Sequence, residues 1–212
     1  MRLVFASNNA HKLKEVREIL CRPVENAGED EVCRIDILSL KEIGFEHDIE
    51  ETGATLEENS AIKAHAVWQF VSKSKDIDGV FADDTGLEIA ALNGTPGVYT
   101  ARWAGEPAND ANNRKKALHE LAGIVNRTAR FRTVVTLIMG GKEEQVEGIV
   151  NGRIAEQESG NGGFGYDPLF IPEGYKQTFA CLTEAEKNSI SHRGRAIRAL
   201  MRRLNDLTGY KK

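Results

Sequence analysis

A chain of 212 residues, 28% of them charged and 41% hydrophobic, is long enough for one domain or two intimate lobes and has the make-up of an ordinary soluble globular protein. A net charge of −4 argues against gripping a nucleic-acid polymer, which calls for a basic face, yet leaves room for a single anionic nucleotide met by a few local cations. Cys21, Cys33 and Cys181 are odd in number and lack CxxC spacing, so free thiols in a reducing cytoplasm are expected; Leu3 to Ala6 is too short for a signal segment or membrane span.

In chain order, Leu3 to Ala6 reads as a short buried strand and Ser7-Asn8-Asn9 as a turn with capping side chains. Behind it Leu13, Val16, Ile19 and Leu20 recur at helical spacing. The polar stretch from Pro23 to Glu31 predicts a surface loop, and Arg34 to Leu40 a second strand. Thr55-Leu56-Glu57-Glu58 has the form of a capping box, and its helix runs to about Val71 with Ile62, Ala66, Val67 and Phe70 on the apolar side. Gly79 to Ala82 reads as a strand ending at Asp83-Asp84, and Asn93-Gly94-Thr95-Pro96-Gly97 as a turn cluster. A helix is expected over Asn112 to Ala122. Ala129 to Met139 and Glu144 to Ile154 are strand-like, and Gly140-Gly141-Lys142 between them signals a hairpin with a bulge-type loop. After the glycine-rich Gly160 to Asp167, Ser191 reads as the N-cap of a last helix with Ile197, Leu200, Met201, Leu204 and Leu207 on one stripe. Alternating strands and helices plus one hairpin predict an α/β or α+β protein with a mixed sheet.

Four clusters are candidates to carry chemistry. Ser7 to Lys12 opens a helix, where unpaired N–H groups and the dipole favour phosphate; the plainer reading is an Asn cap followed by a solvated lysine. Asp83 and Asp84 close an apolar strand and suit Mg²⁺, or else form an acidic turn with Asp84 bonded back toward Gly86. If the strand persists to Asp84, alternation points the two carboxylates to opposite faces. In Gly162-Gly163-Phe164-Gly165-Tyr166-Asp167-Pro168 the aromatic can stack on a base and Asp167 can accept from a base N–H; the alternative is a tight turn with Phe164 or Tyr166 folded onto the core. His192 and Arg193 fall in the first turn of a helix, where cations oppose the dipole by roughly 0.3–1 kcal/mol each, so an anion is expected nearby unless this is a basic surface. Glu51 precedes a Thr52-Gly53 turn as a candidate ligand or one more charge in an acidic run. Lys63 shares a helix face with Asn59 and can be solvated. Tyr99, Arg102 and Trp103 follow a Pro-Gly turn and can line a site, a lobe seam or a dimer contact.

Together these clusters resemble the inosine triphosphate pyrophosphatase family, which acts on noncanonical purine nucleoside triphosphates. The resemblance runs nearly the whole chain, through Ser7-Asn8-Asn9-Ala10-His11-Lys12, Glu51-Thr52-Gly53, Glu58-Asn59-Ser60-Ala61-Ile62-Lys63, Ala82-Asp83-Asp84-Thr85-Gly86-Leu87, Pro96-Gly97-Val98-Tyr99, Gly163 to Pro168, Glu186-Lys187-Asn188 and Ser191-His192-Arg193. It implies one ITPase-like domain over residues 1–212: a mixed, elongated central sheet flanked by helices, in two lobes with the nucleotide in a cleft between them. It further implies a cytoplasmic homodimer that uses Mg²⁺ to cleave ITP, dITP and XTP to the monophosphate and pyrophosphate, a pool-sanitising activity without a nucleic-acid or membrane partner. By position, Ser7, Asn8, Asn9, Ala10, His11 and Lys12 match its phosphate-contacting segment. Glu51 and Asp84 match its metal ligands, and Asp84 also its proton acceptor. Lys63 and Thr85 match substrate contacts. Phe164, Gly165, Tyr166, Asp167, Lys187, His192 and Arg193 match its base and phosphate pocket. Ser7 stands where the family often has Thr, Thr85 where it often has Ser, and Cys181 where Glu is usual; the segment between Cys21 and Cys33 is somewhat long. Asp83 is then a supporting carboxylate that holds a nearby lysine. Other readings are a pyrophosphatase for modified pyrimidine or methylated nucleotides, a nucleotide sensor without turnover, and a plain structural protein.

Overall fold

Apolar β1 (Arg2–Phe5) leads through Ser7-Asn8-Asn9 into α1 (Ala10–Leu20), and the chain returns as β2 (Asp36–Leu38) in parallel beside β1, with Leu3 opposite Ile37. This computed structural model describes residues 1–20 and 35–208; the expected loop from Pro23 to Glu31, Cys21, Cys33 and the expected strand start at Arg34 lie outside the described residues. β2 stops at Leu38, short of the expected Leu40, because the Ser39 N–H and hydroxyl both donate to the Glu42 carboxylate and turn the chain. These bonds hold the Glu42 carboxyl below its usual range, with Arg17 assisting.

Helix α2 (Leu56–Val71) opens with the expected capping box: Thr55 accepts from the Glu58 N–H while the Glu58 carboxylate accepts from the Ala54 and Thr55 N–H groups. β3 (Gly79–Ile89) then pairs in parallel on the other side of β1. Right-handed crossovers in opposite directions put α1 and α2 on opposite faces of these strands. The side chains follow. Leu3, Phe5 and Phe81 pack with Val16 of α1, whereas Val4, Val80 and Ala82 pack with Ala64, Val67 and Val71 of α2.

β3 does not end at Asp83-Asp84. It runs for 11 residues in all, to Ile89, and Leu87 and Glu88 pair antiparallel with β4 (Pro96–Gly97). The expectation of a strand end rested on the apolar run giving way to two carboxylates, which are costly to bury unpaired. Lysines from α1 and α2 offset part of that cost, and they lie too far away in sequence for a local pattern to reveal. β5 (Thr128–Met139) and β6 (Lys142–Ile154) form the expected hairpin, but their link is the two residues Gly140 and Gly141, with φ of +59° and +75°. Two positive φ angles match the strand twist and leave Lys142 in the ladder, so no bulge is needed. β7 (Phe170–Pro172) pairs antiparallel with β6 and completes a mixed sheet in the order β2-β1-β3-β5-β6-β7, with helices flanking it.

Helix α3 (Asp110–Glu120) begins two residues earlier than expected, because the Asn109 side chain caps it by accepting from the Asn112 N–H. The seven-residue α4 (Glu184–Ile190) was not expected; it is too short to show an apolar period, although Thr183 and Glu186 form a full capping box. Ser191 caps α5 (His192–Thr208) as expected, its hydroxyl accepting from the Gly194 N–H. Among the described residues, no helix is long and apolar enough to cross a membrane.

The chain divides into two compact units. The first holds Met1–Asp84, Val134–Glu147 and Ala196–Lys212; the second holds Thr85–Thr133 and Gly148–Arg195. The first is built on the two clusters either side of β1 and β3, one of them closed by Ala196 and by Ile197, Leu200 and Leu204 of the expected stripe. The second is built around Leu87, Leu121, Phe131, Leu169, Phe170 and Phe179.

Candidate active site

In the first unit, α1 presents its N-terminus on the segment Ser7 to Lys12. Asn9 caps it by accepting from the Lys12 N–H at 3.1 Å, and Ser7 Oγ accepts from the Asn9 N–H at 3.3 Å. Asn8, Asn9, Ala10 and His11 are exposed and Ser7 is half-buried, so the segment meets solvent. The Lys12 ammonium reaches back to the fully buried Asp83 at 2.9 Å. Asp83 thus holds a lysine at the foot of the phosphate-type helix start.

Asp84, one residue on, faces the other side. Its Oδ1 accepts from Lys63 Nζ at 3.3 Å, and Lys63 also pairs with Glu51 at 3.1 Å. Lys63 is therefore buried between two carboxylates, not solvated. Burial is the largest influence on Asp84 and pushes its carboxyl above the usual range; Lys63 and Lys12 oppose this, while Glu51 and Asp83 add to it. Burial also works against the Lys63 charge, yet Asp84, Glu51 and Asp83 together hold that ammonium above its ordinary value. The two upward shifts have different causes: burial raises Asp84, whereas the surrounding carboxylates Asp84, Glu51 and Asp83 raise Lys63 against burial.

The second Asp84 oxygen, Oδ2, is buried and has no hydrogen-bond partner among the described residues. Native proteins rarely leave such an atom unmatched without a role for it. Beside Glu51, in a negatively biased cluster, it suits a hard divalent cation. Among the described residues the acidic donors do not gather as a cage of three or more. A pair of carboxylates is the form Mg²⁺ takes when waters and substrate phosphates complete its shell. Glu51 is presented by a turn pinned from α2, where the buried Asn59 accepts the Gly53 N–H at 2.8 Å.

In the second unit, Gly163 to Asp167 folds back so that Asp167 Oδ2 accepts from the Phe164 N–H at 2.8 Å and from Lys187 Nζ at 2.6 Å. A Cβ on Gly163 would lie 2.0 Å from that same oxygen, so only glycine fits there. Phe164 is half-buried, with the Lys187 ammonium 4.9 Å and the Arg193 guanidinium 5.6 Å from its ring centre. Gly165 is braced through both backbone groups: its N–H donates to Asp110, and its carbonyl accepts from Arg114. Tyr166 turns inward, 2% exposed in the core, its hydroxyl donating to the Thr100 carbonyl while burial pushes its pKa up. His192 is buried and stacks on Phe131 at 4.7 Å. Arg193, 1% exposed, donates to Thr85 Oγ1 at 3.2 Å.

The structure thus brings Glu51, Lys63, Asp84, Lys12 and the α1 start together in one unit, and Thr85, Phe164, Asp167, Lys187, His192 and Arg193 in the other. Sequence reading missed Asp110 and Arg114, which brace the loop from α3. It also missed Thr133, fully buried in β5 and hydrogen-bonded to both Thr85 and His192. None of these sits in a pattern of residue types that marks a site.

The profile of the Ham1 family matches residues 3–203. A dITP/XTP pyrophosphatase of Flavobacterium psychrophilum is 46% identical over 201 residues, which cover 95% of this chain and 97% of the relative. One of Bacillus subtilis is 48% identical, over 95% and 96%. The solved structure of the Staphylococcus aureus Ham1 protein superposes with a TM-score of 0.82 at 35% identity, covering 97% of this chain and 99% of that one. A match of this extent to the profile, the sequences and the structure has one conclusion: the chain belongs to the Ham1 family.

Proposed function

We propose that the protein hydrolyses noncanonical purine nucleoside triphosphates, ITP, dITP and XTP, to the monophosphate and pyrophosphate, as a sanitiser of the nucleotide pool. The observation that carries this reading is the buried Asp84, one oxygen held by Lys63 and the other unmatched, in a cluster richer in carboxylates than in ammonium groups. Relatives named dITP/XTP pyrophosphatase over the full length support the substrate class. Mg²⁺ as the metal, a homodimer and a cytoplasmic setting belong to the same proposal and rest on the family resemblance. So does one ITPase-like domain over residues 1–212.

In that reading Ser7 to Lys12 receives the phosphates, with the α1 N–H groups and the Lys12 ammonium offsetting their charge. Glu51 and Asp84 hold the cation, which when bound supplies further charge neutralisation and a more acidic water. Asp84 orients a water in line with the α-phosphorus and takes its proton as the new P–O bond forms; the α–β bridging bond breaks and pyrophosphate leaves with that electron pair.

Thr85, Phe164 to Asp167, Lys187, His192 and Arg193 form the base and phosphate pocket. Phe164 offers a stacking surface beside two cations. Hypoxanthine and xanthine place an N1–H donor beside a C6 carbonyl, and adenine presents the reverse. A donor at the C6 oxygen, from Lys187 or His192, rejects adenine by leaving buried groups unpaired. Incubation with ITP, XTP, GTP and ATP plus Mg²⁺, followed by product identification, tests the proposal. IMP with pyrophosphate is expected. IDP with phosphate would make the protein a phosphohydrolase, and binding without turnover a sensor.

A further inference from the structure

We infer that Asp110 and Arg114, on the first two turns of α3, are positioning residues for base recognition: together they clamp Gly165 and so set the direction in which the Phe164 ring points. This rests on reading the pocket of the second unit as the base site. Phe164 lies between Gly163 and Gly165, whose φ angles are +70° and +61°. Glycines in the left-handed region leave the chain free to turn on either side of the aromatic. The direction of the Phe164 side chain is decided by the two planar peptide groups that meet at its Cα, because their orientations define its φ and ψ. The group before it is held from within the loop, where the Phe164 N–H donates to Asp167 Oδ2 at 2.8 Å. The group after it is held from α3, where the Gly165 N–H donates to Asp110 Oδ2 at 2.8 Å. One peptide further on, the Gly165 carbonyl accepts from Arg114 Nη1 at 2.9 Å. Asp110 and Arg114 stand four residues apart on α3, the spacing at which opposite charges commonly pair with each other. Here each holds a backbone group of the loop, and the Arg114 guanidinium is also paired with Glu158 at 3.0 Å. Hydrogen bonds to a carboxylate or from a guanidinium are about twice as strong as neutral ones. Asp110 is exposed and Arg114 and Gly165 are half-buried, outside the hydrophobic core of the unit, so the clamp fixes the loop rather than the fold. A loop that holds the stacking geometry for only part of the time binds its base more weakly in proportion to that fraction. The clamp from α3 keeps the ring presented before the base arrives.

The test uses the full chain and initial rates with Mg²⁺ and ITP, each variant being checked for folding by its melting curve. Phe164→Leu, which removes the ring, should raise KM about tenfold or more, the worth of one stacked base. Asp110→Ala should raise KM about tenfold, the shift expected when one net hydrogen bond no longer holds the competent loop, while kcat changes far less. Asp110→Asn keeps an acceptor oxygen and should restore KM. Inhibition by IMP should weaken in step with KM, whereas inhibition by pyrophosphate, which has no base, should not change. In the Phe164→Leu background the Asp110→Ala change should have little further effect, because the clamp acts through the ring. Arg114→Met removes the other half of the clamp and should repeat the pattern, so the outcome does not depend on one variant folding. An unchanged KM in either folded variant, Asp110→Ala or Arg114→Met, overturns the inference. A rise that adds in full to that of Phe164→Leu, or an equal weakening of pyrophosphate, overturns it as well. An unchanged KM in Phe164→Leu would instead overturn the base-site reading, and the inference with it.

Discussion

Asp84 carries its charge against its surroundings, and this separates its catalytic from its structural consequences. Asp84→Asn should lower kcat by about 10²-fold or more, the usual loss when a positioned base is removed, as measured by pyrophosphate release from ITP. The same variant should melt no lower than the wild type at neutral pH. A folded-state pKa raised above the ordinary 3.8 means that ionised Asp84 disfavours folding at any pH above that raised value. The advantage of the variant should shrink as pH falls through the raised value and vanish below 3.8, where the carboxyl is protonated folded or unfolded. Melting curves across that acid range check the sign. Lys187 behaves oppositely. Lys187→Met strips the buried Asp167 of its ammonium partner at 2.6 Å, a loss of about 3–5 kcal/mol for a broken buried pair, read by urea unfolding. Adding Asp167→Asn should recover part of that loss.

At the scale of elements, both capping boxes stand directly before residues of the proposed site: Thr55 before Asn59 and Lys63, and Thr183 before Lys187. Thr55→Ala should cost about 1 kcal/mol by denaturation and loosen the turn that presents Glu51. The first box was legible in the sequence because a long apolar period follows it; the second was not, because α4 has only seven residues. Strand β3 was legible up to Ala82. Beyond that, its course depends on lysines 71 and 21 residues away, and local pattern carries no such information. Residues of the proposed site that occur in distinctive runs, such as Asp84, Phe164 and His192, could be matched by resemblance. Thr133 could not, since a threonine in a Thr-Val-Val-Thr strand reads as ordinary β-former whatever its hydroxyl touches.

At the scale of the molecule, three strands and the last helix run from one unit into the other: β3 between Asp84 and Thr85, β5 between Thr133 and Val134, β6 between Glu147 and Gly148, and α5 between Arg195 and Ala196. Elements that belong to two cores couple their unfolding. Calorimetry should therefore show one transition, with matching calorimetric and van't Hoff enthalpies. Phe81→Ala in the first unit and Phe131→Ala in the second should each cost about 3–5 kcal/mol and lower that same transition; two separable transitions would refute the coupling. The alternation along β3 has a consequence of its own. Asp83 meets Lys12 of α1 and Asp84 meets Lys63 of α2 because one sits at an odd and the other at an even step of the strand. Inserting a single residue after Ala82 would reverse that parity and hand each carboxylate to the other helix. Nearly every side chain would be kept, and what the strand encodes would still be lost.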